Sequence, residues 1–499
     1  FLLQSEDNCT PEDYLSFGIQ VNGGPAQFPL DNNGQPVISL VFDCNDVGPQ
    51  VIQLWAMDQA GNADYCSATI TIQDPLNNCG GAQTQATVAG VMQTEMDYGL
   101  EECDVELAGQ SPNGTAFNQF VMTDQQGHFQ FPEAIPALSD YTLTPTKDNN
   151  PLNGVTTYDL VLINKHILGL EPLNTPYRMI AADANRSGSI TTYDIVELRK
   201  LILAIYEDLP NNTSWRFVDR DYQFDNPANP FQSVFPENKT VSDVQGLQNN
   251  SMVAIKIGDV NNSVIANSLM SSDERSVNTL IFDVDAPATQ HNDGTVKAGE
   301  TFEVTFTADQ TVQGYQFTMN FNDLELVDLK PGEGMKSDNF AVFAENNALT
   351  TSWDGKEEGR FSLRFRAKKS GEISKMLGVS SRITKAEAYN AEGEKLDIAF
   401  RFQGKDGATV TGVGFELYQN IPNPFINSTF IGFHLPEETQ ATLSVYDEAG
   451  HLIYIQRGNF PKGYNTFPVE RSMVNVNGVL YYTLKTDKDS ATRKMIQIK

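Results

Sequence analysis

The sequence predicts a mainly β chain of tandem antiparallel β-sandwich domains, immunoglobulin-like or jelly-roll in type, interrupted once by a small α-helical unit. Three observations lead there. Short Val, Ile, Thr and Phe runs alternate with polar residues along most of the 499 residues, and the turns between them draw on 37 Gly and 24 Pro. That length exceeds what a single core fills, so several domains are expected. Only between residues 148 and 205 does the apolar spacing change from alternation to that of an amphipathic helix.

Composition narrows the function before any motif does. A formal charge of −30 would repel nucleic acid phosphates and favours calcium or basic partners. The five histidines, at 128, 166, 291, 434 and 451, are scattered, and Gly332-Glu-Gly-Met-Lys-Ser lacks phosphate-loop spacing. There is no Gly-x-Ser-x-Gly elbow, and no pair of carboxylates stands out among 64 acidic residues, so no catalytic centre is expected and the chain reads as not an enzyme. No apolar run is long enough to span a bilayer. The opening Phe1-Leu2-Leu3-Gln4 carries no basic stretch or long apolar core, so the chain is expected to start after processing or partway through a longer polypeptide.

In residues 1–76, runs at Val37 to Phe42, Val51 to Met57 and Ala68 to Ile72 read as a small sandwich with Trp55 in its core. The string from Val51 through Asp58, Gly61 and Asn62 to Cys66 resembles the hyalin-repeat, immunoglobulin-like modules of bacterial surface proteins. Five cysteines, Cys9, Cys44, Cys66, Cys79 and Cys103, crowd the first fifth of the chain without a Cys-x-x-Cys pair, which suits disulfides in a secreted protein. Cys44 with Cys66 and Cys79 with Cys103 are the favoured pairs; spacing does not fix connectivity, and reduced buried thiols are the other reading.

Residues 77–147 supply alternating runs near Ala86, Val105, Phe120, Gly127 to Phe131 and Tyr141 to Pro145, a second small sandwich. They resemble the prealbumin-like regulatory domains found beside carboxypeptidases, which implies a spacer. His128 sits on an alternating strand with no zinc-ligand spacing around it.

Residues 148–266 hold the helical unit, written twice. The second copy places Asp183, Asn185 and Ser187 at positions 1, 3 and 5, Gly188 at the sharp turn, Ser189 at 7 and Asp194 at 12, then Ile195, Leu198, Leu201 and Ile202 at helical spacing. Hard oxygen ligands so spaced suit Ca2+. The first copy has Asp148, Asn150 and Asp159, but Leu152 stands at position 5 and the glycine has moved to Gly154, so calcium is more strongly expected at the second loop. Thr156 with Asp159 and Thr191 with Asp194 also read as capping boxes, which would not explain Asp183, Asn185 and Ser187. Asp259, Asn261 and Ser263 repeat the 1, 3, 5 spacing, yet position 12 falls on Met270 and no helix follows, so a simple turn in an extension wrapped on the helices is expected there. The duplicated loop-helix unit resembles a dockerin, which implies one or two calcium ions holding two short helices whose faces contact a partner.

A polar stretch, 267–278, reads as a linker. Residues 279–410 carry period-two runs for an eight- or nine-stranded sandwich. Lys297 to Phe302, Gln313 to Phe321, Ser352-Trp353 and Ala386 to Tyr389 resemble a cohesin, which implies pairing with the dockerin-like unit within or between molecules, with Trp353 either an exposed contact or core.

Residues 411–499 read as a seven-stranded sandwich. Asn420, Pro422, Asn423, Pro424 and Phe425, then Asp447, Gly450, Gly478 and Tyr481, and finally Lys494 to Lys499, resemble the type A C-terminal sorting domain of the type IX secretion system of Bacteroidota. That resemblance implies recognition by the type IX machinery, export across the outer membrane and attachment at the cell surface.

The leading expectation is a secreted, non-enzymatic, modular surface protein for adhesion or surface assembly with calcium-stabilised dockerin-cohesin association. The alternative is the non-catalytic C-terminal part of a large secreted hydrolase. Surface glycans, bound through exposed aromatics, are a third reading.

Overall fold

The computed structural model describes residues 15–21, 27–31, 34–44, 46–59, 61–72, 85–244, 250–267, 270, 278–286, 294–355, 359–404, 407–426, 428–474 and 476–498. Among these the chain is mainly β, in several largely antiparallel sheets, with three longer helices placed together.

The first sheet has three strands, β1 (Ser16–Val21), β2 (Gly48–Met57) and β3 (Ala63–Ile72), in the order β1-β2-β3. Trp55 is buried and packs on Tyr65 with ring centroids 4.7 Å apart. The run from Val37 to Phe42 is not a strand: Ile38 and Val41 are 79% and 94% exposed, so its alternation has no second layer to bury against.

The second sandwich is discontinuous in sequence. Its early strands are β4 (Ala89–Gln93), β5 (Asp104–Gln110), β6 (Ala116–Met122), β7 (His128–Gln130) and β8 (Asp140–Thr146). Then come α1 (Thr157–Ile167), α2 (Pro176–Ala182) and α3 (Thr192–Ile202). After them β9 (Trp215–Asp219), β10 (Lys239–Val241) and β11 (Met252–Lys256) return to complete the two sheets, β10-β8-β5-β6 and β9-β11-β4-β7. The segment after the helices therefore does more than wrap them. It supplies three of the eight strands of the sandwich that precedes them.

Strand β11 explains the arrangement. All five of its residues are buried, because Met252 and Ala254 point into the core of the sandwich while Val253 and Ile255 point into the core of the helical unit. A strand covered on both faces loses the polar alternation that marks a half-buried one, so it reads as a continuous apolar run. The outer face of that sheet is the floor on which α1, α2 and α3 pack, through Ile163, Ile180, Leu198 and Leu201.

The third unit is one eleven-stranded sheet with an aromatic core. Along its main path are β12 (Asn278–Asp285), β13 (Thr301–Ala308), β14 (Gly314–Phe321), β15 (Leu324–Pro331), β16 (Phe340–Phe343), β17 (Ala348–Asp354), β18 (Arg360–Ala367), β19 (Glu387–Tyr389) and β20 (Lys395–Gly404), in the order β15-β18-β13-β12-β20-β19-β14-β17-β16. Phe282, Phe306, Phe317, Phe361 and Phe400 fill its centre, Phe306 stacked on Phe361 at 4.8 Å. Each such side chain contributes about 1.5–3 kcal/mol by leaving water. Trp353 belongs to this core: it is fully buried and donates from Nε1 to Gly334 O at 3.3 Å, so it is no surface contact.

The terminal unit joins Glu416–Leu417, β21 (Ser428–Leu435) and β23 (Gly463–Glu470) in one sheet. The other holds β22 (Thr439–Tyr446), Leu452–Phe460, β24 (Gly478–Lys485) and β25 (Ser490–Gln497). No helix among the described residues is long and apolar enough to cross a membrane.

Candidate metal centres and the seam beside them

The loop from Asp183 to Asp194 closes as its spacing demands. Asp183, buried at the end of α2, accepts at Oδ1 from Ser187 N (2.8 Å) and at Oδ2 from Gly188 N (2.8 Å). Asn185 Oδ1 accepts from Ser187 N at 3.0 Å, and Ser187 Oγ donates to Ser189 O at 3.2 Å. Asp194 serves two ends at once: Oδ2 accepts from Thr191 N (2.8 Å) as the capping box of α3, while Oδ1 accepts from Asn185 N (3.2 Å) across the loop. Cap and loop closure are thus two uses of one carboxylate, which its burial pushes above the ordinary range.

The first loop is assembled differently from its spacing. Asp148 Oδ1 accepts from Ser214 N (2.7 Å) at the entry to β9, Asn150 holds a left-handed turn at φ +49°, and neither meets Asp159. Asp159 instead accepts at Oδ1 from Val260 N (2.9 Å) and Asn261 N (3.3 Å), and at Oδ2 from Thr156 N (2.9 Å). Facing it, Asp259 accepts at Oδ1 from Ser263 N (3.1 Å) and at Oδ2 from Val264 N (2.9 Å). Asn261 Oδ1 accepts from Ser263 N (3.0 Å), and Ser263 Oγ donates to Gly154 O (3.0 Å). Six of these bonds repeat those of the second loop, with Asp259, Asn261 and Ser263 in place of Asp183, Asn185 and Ser187, and Gly154 in place of Ser189; the bond from Val260 N to Asp159 is particular to this one. The turn at Asp259 is therefore half of a split loop whose helix is α1, far earlier in the chain. The repeated Asp-x-Asn-x-Ser was the available signal; counting onward to Met270 missed it because the chain does not continue through the loop.

The donor sets fit a hard cation. Among the described residues no three Asp, Glu, His or Cys side chains converge. Each loop has two carboxylates and completes its set with Asn, Ser and backbone oxygens, the set that binds calcium with modest affinity. At the split loop the cradle is close: Gly154 has φ +78°, and a Cβ there would lie 2.7 Å from Val264 Cα and 2.9 Å from Asp259 Oδ2. Burial pushes Asp159 well above the carboxylate range, and the charge of Asp259 adds to it. Burial likewise raises Asp259 to about 6, against the opposing pull of Ser263 N, Val264 N and Lys256. Lys256, itself lowered to about 8 by burial, is held by Pro151 O at 2.7 Å.

Directly after the split loop, α1 docks on the third unit. Thr157 N and Oγ1 donate to Gln316 Oε1 at 2.6 and 2.9 Å, and Thr157 Oγ1 lies 2.8 Å from Ser352 Oγ. Tyr158 stacks on Tyr389 at 4.9 Å. At the other end of the seam Arg199 pairs with Asp354, while Thr384 Oγ1 and Thr350 Oγ1 donate to Ile202 O (2.6 Å) and Leu203 O (2.9 Å), which satisfies carbonyls left open at the end of α3.

The remaining named residues serve their own units. Asn420 is buried and donates from Nδ2 to Pro422 O (3.0 Å) and Thr429 Oγ1 (2.9 Å). Both Ile421-Pro422 and Asn423-Pro424 are cis, Asn423 Oδ1 accepts from Ile496 N (2.8 Å), and buried Phe425 donates from N to Ile496 O (3.0 Å). Asp447 and Gly450 form a separate turn closed by His451 N on Asp447 Oδ1 (2.8 Å). Gly478 opens β24, Tyr481 on that strand is 40% exposed, and Lys494 on β25 lies opposite Tyr481; Lys499 lies outside the described residues. These residues do not converge on one site. The expected disulfides are corrected: Cys66 is an exposed free thiol and Cys103 a buried one. Cys103 fills the core as an apolar residue would, and burial raises its thiol to about 12. Cys44 is disulfide-bonded, and Cys9 and Cys79 lie outside the described residues.

No protein-family model matches the chain, and no curated protein sequence matches it. Among solved structures, a tetra-tandem repeat from the extending region of a large adhesion protein is 11% identical, over 93% of this chain and 84% of that one, with a TM-score of 0.14. Dimeric latent PorU from Porphyromonas gingivalis is 7% identical, over 97% of this chain and 34% of that one, with a TM-score of 0.17. At TM-scores this low neither likeness bears on function.

Proposed function

We propose that this is a secreted, non-enzymatic, modular protein of the cell surface, serving adhesion or surface assembly, in which a calcium-bound helical pair braces one sandwich against the next. The observation that carries the reading is the shared bonding pattern of the two loops, each closed by the N-terminal Asp of a helix that abuts the seam. Asp183, Asn185, Ser187, Ser189 O and Asp194 would hold one ion, and Asp259, Asn261, Ser263, Gly154 O and Asp159 the other. Bound calcium would add to the single positive charge that Lys256 sets beside the two facing buried carboxylates. Thr156 and Asp159 then hold the start of α1, so that Thr157 and Tyr158 stay aligned on Gln316 and Tyr389. The seam is read as a dockerin-cohesin type contact made within the chain. Residues 411–499 are read as the sorting domain that the type IX secretion machinery recognises.

Calorimetric titration of the chelator-treated chain tests the calcium part. Two ions should bind, each raising the unfolding midpoint, with Asp183→Ala removing one and Asp259→Ala the other. Two ions in both variants, or none in the parent chain, would leave the loops as hydrogen-bonded turns.

A further inference from the structure

The two loops differ in how much chain they close. Asp183 to Asp194 lie within twelve positions, so an ion there fastens one turn to the helix that follows it. The split loop joins Asp159, at the start of α1, to Asp259, just after β11. It therefore encloses α2, α3, β9, β10, β11 and the whole of the second loop. A clip that closes a long loop constrains far more chain than one that closes a short loop.

Strand β11 is where that constraint matters. It pairs in parallel with β4 through Met92 with Met252 and Gln93 with Val253, a short ladder between the first and last strands of one sheet face. The chain leaves β11 towards β12, so tension along the chain would draw β11 lengthwise past β4.

The segment that would carry this load is fastened at successive points. Asp259 holds Ser263 N (3.1 Å) and Val264 N (2.9 Å), and Ser263 Oγ donates to Gly154 O (3.0 Å). Ile265 N donates to Asn153 Oδ1 (3.0 Å), and Asn153 Nδ2 returns a bond to Ile265 O (2.7 Å). Glu101 N donates to Ala266 O (3.1 Å), and Asn267 Nδ2 to Gly99 O (2.7 Å). The donors of the split site stand between these outer ties and β11, in line with the load. Those of the second loop stand inside the closed loop, shielded from tension until the split site opens.

We infer that the split site is a load-bearing clasp: calcium held between Asp159 and Asp259 keeps tension off β11 when the chain is stretched, and the second loop takes no part. While it holds, tension passes from Asp259 to the start of α1 and back along the chain into β8. Once the seam with the third unit has parted, this clasp is what keeps the second sandwich whole. It presupposes the calcium reading of the two loops.

Magnetic tweezers on the full chain, tethered at its two ends and held at constant force, test this. The event to follow is the opening of the second sandwich with its helical unit, which releases on the order of 600 Å of chain from β4 to β11. Its lifetime under load is governed by the unfolding rate and should be at least about tenfold longer in calcium than in chelator. Asp259→Ala in calcium should fall to the chelator lifetime. Asp183→Ala, which also removes one ion, should shorten it by no more than about twofold. If either alanine variant fails to fold, Asp259→Asn and Asp183→Asn, which keep the side-chain shape, take their place. Equal lifetimes in calcium and chelator would overturn the clasp, and so would equal losses in the two variants. Calorimetry on the same samples separates the two readings. Two bound ions without an effect on lifetime count against the clasp alone, and no bound ion counts against both.

Discussion

Asp159 and Asp259 show how two side chains become a pair that neither would form alone. Each is buried and accepts from backbone N–H groups, burial raises the proton affinity of both, and the charge of Asp259 raises that of Asp159 further. A carboxyl whose folded value lies above its ordinary one stabilises the fold most fully below that ordinary value and loses the contribution as pH rises through the folded value. For Asp259 the loss runs from the ordinary carboxylate range up through about 6, and Asp159 moves the same way. In chelator, therefore, the midpoint for the helical unit should fall between about pH 5 and about pH 7.5. In calcium the fall should vanish or reverse, because the ion requires both groups deprotonated. Circular dichroism melts at both pH values check this; a flat profile in chelator would contradict the buried pair.

At the scale of elements, α1 and α3 are short and owe their place to both neighbours. Each begins in a capping box and a carboxylate loop; α1 meets the sheet of the third unit at its start and α3 at its end. Arg199 and Asp354 are 15% and 8% exposed, so the pair is well screened from water. Removing one partner leaves the other charge buried, so Arg199→Ala should weaken the seam by about 2–5 kcal/mol. Asp354→Ala should cost little more once Arg199 is gone. A double-mutant cycle on the unfolding free energy reads the coupling, and strictly additive losses would mean that the pair does not hold the seam.

For the molecule as a whole, the arrangement is a relay. The second sandwich shares β9 and β11 with the helical unit, the helical unit docks on the third, and the third meets the terminal sandwich. Residues 411–499 fill a core of their own, and none of the bonds that join them to the rest, among them Ser428 N on Glu102 Oε1 (3.0 Å), Ser381 N on Glu416 (3.0 Å) and Lys462 on Asp397 (3.0 Å), involves the carboxylates of the two loops. Its deletion should therefore leave both calcium ions bound while abolishing surface delivery. Expression of the deleted chain in a Bacteroidota host with type IX secretion, followed by surface labelling of intact cells, measures that. Undiminished surface label would remove the sorting reading.

The sequence by itself determined what is local. Period-two runs marked β5, β8, β13 and β14, helical spacing marked α1 and α3, and Asp183, Asn185, Ser187 and Asp194 laid out a complete oxygen-lined loop within twelve positions. Capping boxes at Thr156 and Thr191 were legible for the same reason, since partners three residues apart meet on any helix. Only the tertiary structure decided which distant pieces are one. Asp259 belongs to α1 because β11 carries the chain back beside β4, and no spacing rule counts across such a return. Trp353 is core rather than contact, and Cys66 unpaired, because burial and disulfide geometry depend on the layer that arrives from elsewhere in the chain.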